Sequence, residues 1–393
     1  MDTTTTIEVP HFFVCPISLQ IMKDPVTAAT GITYDRENIE RWLFSDRNTT
    51  CPVTNQPLPR DSELTPNHTL RRLIQAWCTT NAVDRIPTPR APLDRVSASS
   101  LLADLPTSLE LIDTLASANE SNRRCIVQAG AANSIVRLVV SCSGRKQYDR
   151  VEQALGLLRS LRIPSEELKP LVADNHELVE SLTQALRHES DSVRSAAILA
   201  ARSVAELAGA NLAERLSVGF FEAVTGVVRD GISPQATQAA LHVLLSASPW
   251  GRNRTKIVEA GAVAELIELE LGGPDRRRTE LVLGVLEHLC GCADGRAQLA
   301  GHAAGIAVVS KRILRVSAAS DDCAVGILSS LCKYSATNEV LQEMLRVGAV
   351  SKLCLVIQAD CSSAVREKAR WLLRLHSGVW KNSSCINIFL FTS

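Results

Sequence analysis

The feature that most constrains this chain is a sequence repeat with a period of 42 to 45 residues. The segment NRRCIVQAGA at residues 122–131 recurs as NRTKIVEAGA at 253–262 and as NEVLQEMLRVGA at 338–349. Weaker copies lie between them. The recurring turn positions are Gly130, Asn175, Gly219, Gly261, Gly305 and Gly348. Units of this length bury their apolar faces only by stacking on neighbours, so the repeat predicts a helical solenoid.

Each unit is predicted to contain one helix that ends in a sharp turn, followed by two further helices. Glycine adopts positive φ freely and asparagine often does, so we expect left-handed backbone at these turn positions. A short helix should follow each turn, as at residues 134–140 and 264–271, and then a longer one, as at 151–162 and 277–292. Three helices per unit, with an Ala-Gly-Ala turn between the first two, resemble the armadillo repeat rather than the HEAT repeat. About six copies cover residues 105–376.

A different pattern occupies the first 80 residues. It is anchored by Cys15-Pro16-Ile17 and by Cys51-Pro52-Val53-Thr54. The blocks MKDPV, GITYDR and IERWL lie between these anchors, and LTPNHTLR and IQAW follow them. This is the hydrophobic spacing of a zinc-binding RING without its zinc ligands. The order of the blocks resembles the U-box, the metal-free relative of the RING found in ubiquitin ligases, over about residues 8–80.

The spacing of potential ligands argues against zinc in this module. A structural zinc site needs four thiolate or imidazole ligands, usually in close pairs. Cys15, Cys51 and Cys78 stand alone, and His11 and His68 have no partner at ligand spacing. We therefore expect no metal and no cofactor, and we interpret the cysteines as small buried apolar side chains.

A module this small needs polar pairs beside its core. The predicted polar residues are Asp24, Asp35, Arg36 and Thr54. The predicted core comprises Val14, Ile17, Leu19, Val26, Tyr34, Ile39, Leu43, Leu58, Leu70 and Leu73.

Local signals predict the elements of the module. Asp24-Pro25 and Gly31 punctuate a β-hairpin around Val26-Thr27 and Thr33-Tyr34. Asp35 is the predicted N-cap of a helix with Ile39, Trp42 and Leu43 on one face, and Pro66-Asn67 starts a second helix.

The predicted chain is mainly α, with a small α+β, zinc-free RING-like U-box followed by an armadillo-repeat α-solenoid. Pro87, Pro89 and Pro92 exclude a helix around them and indicate a semi-rigid linker. The predicted domains are the U-box at 8–80, the proline-rich linker at 81–100, the solenoid at 101–378 and an atypical tail at 379–393. The tail contains the apolar segment INIFLF at 386–391. It is either a partner-binding tail or an altered transcript end.

Together the two halves resemble the plant U-box ubiquitin ligases of the armadillo subclass, over about residues 8–380. The resemblance implies an aminoacyltransferase that holds a ubiquitin-charged conjugating enzyme near a substrate, without a covalent ubiquitin intermediate. Such catalysis works by proximity and orientation. No catalytic residue is assigned, because no cysteine has an apparent histidine or asparagine partner.

The family's docking surface for the conjugating enzyme is formed by two loops and the helix between them. Carried over by motif position, it falls on Ile17, Leu19, Trp42 and Pro52. Core packing is the alternative for Ile17, Leu19 and Trp42, and turn chemistry for Pro52. Asn55 stands where some members carry a basic residue that contacts both enzyme and ubiquitin. Asparagine donates a hydrogen bond but carries no charge.

The solenoid is the expected substrate reader, since stacked repeats build an extended concave surface. Armadillo proteins line this groove with an asparagine on the long helix of each repeat. The corresponding positions here are Ser160, Ser203, Ser246, His288 and Ser330. Either their polar groups line a shallower groove, or the serines are small spacers that let adjacent helices approach. The second interpretation is slightly favoured, and peptide binding of the nuclear-transport-receptor type is doubtful.

Composition bounds the partners and the compartment. Acidic and basic residues are equal at 42 each, so bulk charge does not suggest nucleic-acid or membrane binding. The start of the chain does not resemble a signal peptide, and no apolar run approaches ~18 residues. Twelve scattered cysteines indicate a reducing compartment, which we take to be the cytoplasm.

The expected partners are a conjugating enzyme, ubiquitin and a protein substrate. The resemblance also suggests a U-box-mediated homodimer and a role in stress or defence signalling. The alternative function is a non-catalytic armadillo scaffold or adaptor with an inert U-box-like module. Asn55 slightly favours the adaptor, while Ile17 and Pro52 favour the ligase.

Overall fold

The computed structural model describes residues 9–45, 48–59, 62–81, 93–207, 216–273 and 275–381. The chain divides into two compact units, residues 1–134 and residues 135–393. The structure confirms the mainly α fold class.

The first unit begins with a small sheet and two helices. A 3-10 turn at His11–Phe13 precedes β1 (Pro25–Thr27) and β2 (Thr33–Asp35), and β3 (Thr65–Pro66) completes an antiparallel sheet of order β2-β1-β3. Val26 pairs with Tyr34, and both are fully buried. The predicted hairpin is thus confirmed.

The two helices of this region begin close to where the sequence predicts. Helix α1 (Arg36–Glu40) continues as a π-helical turn at Arg41–Ser45, and α2 spans His68–Thr80. Asn67 caps α2 by accepting a hydrogen bond from the backbone N–H of Leu70 at 3.0 Å. Asp35 makes no side-chain cap for α1, which corrects its predicted role. Its carboxylate instead accepts bonds from the backbone N–H groups of Lys23 and Asp24 at 2.9 and 2.7 Å.

The core of this region matches the prediction in its centre and departs from it at the edge. Val26, Tyr34, Ile39, Leu43 and Leu58 are fully buried as predicted. Leu19 and Leu73 are exposed, which corrects their assignment to the core, and Val14, Ile17 and Leu70 are only partly buried. Phe13 and Met22 supply core volume that the sequence did not predict. Asp24 and Arg36, both predicted to take part in polar contacts, form an ion pair with 2.7 Å between Oδ2 and Nε.

Three helices complete the first unit: α3 (Arg95–Ala103), α4 (Leu105–Ala118) and α5 (Glu120–Gln128). Helix α3 begins inside the predicted linker, so residues 95–100 are helical rather than connecting. Asp94 supplies the cap, accepting a bond from the backbone N–H of Ser97 at 2.7 Å, and no proline follows Pro92 until Pro106. The three linker prolines lie outside the described residues, as do residues 382–393 of the predicted tail.

Helix α6 (Ala131–Gly144) leads into the second unit. The helices that follow are α7 (Tyr148–Ser160), α8 (Ser165–Asp174), α9 (His176–Leu186), α10 (Asp191–Leu207), α11 (Val218–Asp230), α12 (Pro234–Ala247), α13 (Gly251–Glu259), α14 (Ala262–Leu271), α15 (Arg276–Leu289), α16 (Ala293–Gly301), α17 (Gly305–Arg312), α18 (Ala318–Tyr334), α19 (Asn338–Arg346), α20 (Ala349–Gln358), α21 (Ser363–Leu375) and α22 (Ser377–Trp380). The long third helices of successive repeats, α7, α10, α12, α15, α18 and α21, pack on one another in that order. This stacking is the predicted solenoid.

The repeat turns use two different backbone solutions. Gly130, Gly261 and Gly348 have φ of 93°, 77° and 78°, as predicted. Asn175 does not, which corrects its predicted turn role: it has φ of −111° and caps α9 through the backbone N–H of Leu178 at 3.2 Å.

Gly219 and Gly305 also lack positive φ, so the prediction is wrong there as well, and both lie within helices. A Cβ on Gly305 would lie closer than 3.0 Å to the carbonyl oxygen of Leu299. Glycine at 305 is therefore required by close packing and not by a left-handed turn.

No single helix within the described residues has the length and apolar character to cross a membrane, although the bent pair α5 and α6 passes the same test jointly. In the described part of the chain, no three His, Cys, Asp or Glu side chains are grouped so as to hold a metal ion.

Candidate functional site

The first unit contains two loops with the same backbone geometry, Cys15 to Gln20 and Cys51 to Gln56. In each, the cysteine N–H donates to the glutamine carbonyl and the residue before glutamine donates back to the cysteine carbonyl, with all four distances between 2.8 and 2.9 Å. That residue is Leu19 in one loop and Asn55 in the other, with φ of 57° and 56°. A left-handed leucine costs about 1–2 kcal/mol, and such strain persists where the surroundings impose it, often at functional sites.

The cysteine sulfurs anchor these loops from inside the core. Sγ of Cys15 accepts bonds from the backbone N–H of Asp35 at 3.3 Å and from Nδ2 of Asn38 at 3.8 Å. Sγ of Cys51 accepts from Oγ1 of Thr30 at 3.4 Å and lies 2.9 Å from the hydroxyl of Tyr34. The sulfur at the start of each loop is thus tied to the core by polar hydrogens.

These donors change the acidity of Cys51. Burial alone would raise the pKa of its thiol, but hydrogen bonds from Thr30, Thr54 and Tyr34 together lower it to about 6. Burial and the bond to Cys51 raise the pKa of Tyr34 above its ordinary value. Both shifts favour the phenol as the proton donor of this pair.

Helix α1 and its π turn are tied to both loops. Nδ2 of Asn38 donates to Oγ of Ser18 at 3.1 Å in the first loop. Nε1 of Trp42 donates to the carbonyl of Thr50 at 2.8 Å, directly before the second loop. The predicted docking residues Ile17, Trp42 and Pro52 are half-buried on this framework.

The most exposed apolar side chains of this surface stand at the loop tips. Leu19 is 77% exposed and borders an open cavity of about 530 Å³ that Val9 and Ile21 also line. Val53, which the sequence analysis did not single out, is 50% exposed. Its equivalence to Ile17, each following a Cys-Pro pair, is the sequence signal that could have identified it. Asn55 is exposed beside it.

The five predicted groove positions lie on successive third helices, and none of them is buried. Ser160 and Ser203 are exposed, and Ser246, His288 and Ser330 are half-buried. The hydroxyls of Ser160 and Ser203 donate to the carbonyls of Leu157 and Leu199 at 3.1 and 3.5 Å. Nδ1 of His288 lies 2.6 Å from the hydroxyl of Ser248.

Two glycines face side chains of the neighbouring third helix. A Cβ on Gly284 would lie 3.3 Å from Cδ1 of Leu245, and one on Gly326 closer than 3.0 Å to Oε1 of Glu287. Glycine therefore leaves room for these two side chains. Polar contacts also link the third helices: Oγ of Ser192 donates to Glu152 at 2.9 Å, and Nζ of Lys368 to Asp322 at 2.8 Å.

Comparison with known families agrees with this geometry. The U-box domain matches residues 9–83, and the plant U-box protein ARM repeat region matches residues 90–393. The chain belongs to the plant U-box proteins with armadillo repeats. Similar proteins of Arabidopsis thaliana include E3 ubiquitin-protein ligase PUB23, 44% identical over 97% of this chain and 95% of the relative, and PUB24, 40% identical over 98% and 96%.

Solved structures agree on the fold of the U-box–armadillo chain. An engineered protein superposes with a TM-score of 0.54 at 19% identity, covering 72% of this chain and 68% of its own. A chain from a study of the interaction between cadherin and beta-catenin gives 0.59 at 15% identity, over 79% of this chain and 59% of its own. Membership of the family makes this chain a ubiquitin ligase of the U-box type, and these relatives do not support the adaptor alternative.

Proposed function

We propose that a ubiquitin-charged conjugating enzyme docks on the two cysteine-anchored loops and the helical turn between them. The observation that carries this is the pair of left-handed loop ends at Leu19 and Asn55, whose loops expose the apolar side chains of Leu19 and Val53. Ile17, Leu19, Val53 and Pro52 form the apolar contact, and Trp42 holds the second loop in register. Asn55 offers an uncharged hydrogen bond to the bound conjugate.

Ubiquitin passes from the enzyme to the substrate lysine without a covalent intermediate on this chain. Cys51 has the acidity of a reactive thiol but is fully buried, so it cannot reach a thioester. The contribution of the chain is orientation, which supplies a large part of the barrier reduction when two reactants are held in place.

The substrate is proposed to bind the exposed polar face of the third helices. Ser160, Ser203, Ser246, His288 and Ser330 present short polar groups at regular spacing on that face. Such a ladder suits an extended peptide whose backbone groups need partners, since stacked repeats offer one contact per repeat.

The proposed compartment is the cytoplasm, because Cys15 and Cys51 act as reduced, hydrogen-bonded thiols in the core. A stress or defence role and a U-box-mediated homodimer remain proposals that rest on the family resemblance.

The test is self-ubiquitination by the full chain with a panel of conjugating enzymes. Ile17→Ala, Pro52→Ala and Val53→Ala should each lose most activity, since removing a central apolar anchor costs about 2 kcal/mol of binding. Leu73→Ala is the matched control, because Leu73 is similarly exposed on α2 outside the proposed surface. Full activity in the three loop variants would place the docking surface elsewhere.

A further inference from the structure

Helix α5 packs against helix α1 of the U-box within the first unit. Glu40, at the end of α1, is only 4% exposed although it is ionisable. Burial raises the pKa of its carboxyl, and the nearby carboxylate of Glu120 on α5 adds to this rise. Arg36, the backbone N–H of Ser121 and Arg124 act in the opposite direction. A side chain of the U-box therefore reaches the first turn of α5.

This placement matches a need of α5. The first N–H groups of a helix lack intrahelical partners, and a carboxylate near them is favourable. Asn119 satisfies one of them, accepting from the backbone N–H of Asn122 at 2.7 Å. Glu40 stands at the neighbouring one, while Arg36 on its own helix approaches Oε1 at 3.7 Å. Its Oε2 has no hydrogen-bond partner among the described residues.

A second contact joins the same two helices. The guanidinium of Arg124 lies over the ring of Phe44, 3.2 Å from its centroid. Glu120 holds the other side of this guanidinium at 3.5 Å, and Phe44 packs against the core of the U-box. Helix α5 is itself anchored, since buried Asn122 bonds the backbone of Leu93 and of Leu115 at 2.9 and 3.2 Å.

The two contacts leave the docking surface free. Trp42 is two residues from both Glu40 and Phe44, and a two-residue step in a helix turns the side chain to roughly the opposite side. A conjugating enzyme beside Trp42 and the helix α5 beside Glu40 and Phe44 can therefore bind the same helical segment together.

We propose that Glu40, Phe44 and Arg124 form an intramolecular latch that locks the U-box onto helix α5. These are positioning residues: they fix the direction from which a bound conjugate presents ubiquitin, without touching it. The effect on the presentation of ubiquitin rests on the proposed function. The latch itself rests on the contacts within the first unit.

The latch is tested by hydrogen exchange in the full-length chain. Arg124→Gln should raise amide exchange in residues 36–45 of the U-box, and Phe44→Leu should raise it in residues 120–128. The expected change is about threefold in each case, the size of one exposed cation–π contact. Glu37→Gln, which breaks an exposed pair on α1, is the matched control and should change neither segment. Exchange altered only in the mutated helix would overturn the latch.

The positioning role has its own readout. Latch variants should discharge a charged conjugating enzyme to free lysine at the wild-type rate but modify a broader set of lysines on the chain itself. An unchanged set of modified lysines, in variants with raised exchange, would overturn the positioning role. A wild-type chain that fails to discharge any enzyme would refute the proposed function, and the exchange experiment would still decide the latch.

Discussion

The hydroxyl of Tyr34 lies 2.9 Å from Sγ of Cys51, and both side chains are fully buried. This contact joins strand β2 of the U-box to its second loop. It places a hydrogen-bonded sulfur at the base of that loop.

The acidity of Cys51 predicts a pH dependence of stability. Its folded pKa of about 6 is below the ordinary thiol value of about 8.5, so between these values the unfolded state binds more protons. Stability should rise with pH across this window, by up to about 1.4 kcal/mol per pH unit. The stabilisation by Cys51 is fully present above the ordinary thiol pKa and is lost as the pH falls through the folded pKa. Denaturant unfolding of wild type and Cys51→Ser should differ in this slope; identical slopes would contradict the assignment.

Leu19 should trade stability for activity. Leu19→Gly removes the strain of a left-handed leucine, about 1 kcal/mol, and also removes the most exposed apolar side chain of the docking surface. We expect an equal or higher melting temperature with reduced self-ubiquitination. Asn55→Gly is the control, since it relieves the same geometry without losing an apolar contact. Parallel losses of activity and stability in Leu19→Gly would show that the loop strain is not functional.

Exposure of the serine ladder predicts tolerance of size. Ser203→Arg should change the free energy of unfolding by less than about 0.5 kcal/mol, as surface substitutions usually do. Ser248 is fully buried, so Ser248→Arg should overpack the core. The free energy of unfolding should fall by at least the typical cost of overpacking, about 1–3 kcal/mol. Denaturant titrations of the two variants provide the comparison. Equal, large losses would restore the spacer interpretation.

A buried ion pair links two repeats of the solenoid. Glu270 is 1% exposed, and its carboxylate accepts bonds from Nε of Arg312 at 2.6 Å and from the hydroxyl of Thr279 at 2.7 Å. Removing one partner leaves the other charge buried, so Arg312→Ala should cost about 3–5 kcal/mol. Glu222→Gln, in the exposed pair with Arg187, should cost at most about 1 kcal/mol. Similar losses in both, by calorimetry, would contradict this.

Glycine positions should separate packing from turn geometry. Gly305→Ala should destabilise strongly because its Cβ has no room beside the Leu299 carbonyl. Gly130→Ala has open space but a φ of 93°, so it should cost about 1 kcal/mol or more. Gly156→Ala, within α7 with nothing near its Cβ, should stabilise by about 0.5–1 kcal/mol. A neutral Gly305→Ala by thermal melting would contradict the close approach at this helix start.

Features that depend on neighbours in sequence were predictable. The repeat period, the third helices, the hairpin and the Asn67 cap all follow from propensities and turn chemistry that act over a few residues. The docking loops were recognisable because each begins with a Cys-Pro pair followed by an aliphatic residue. Val53 follows the second Cys-Pro pair as Ile17 follows the first, and this equivalence is visible in the sequence.

What only the tertiary structure decided are the roles that depend on distant partners. Asp35 looks like a cap in sequence, yet its carboxylate binds the backbone of Lys23 and Asp24, because the strand pairing brings that loop closer. Leu19 and Leu73 look like core residues, yet both are exposed, because burial is decided by long-range packing that no local pattern encodes. The contact of Glu40 and Phe44 with helix α5, some 80 residues later along the chain, likewise depends on partners distant in sequence. Local chemistry thus determined the elements of this protein, and long-range packing determined which of their side chains meet.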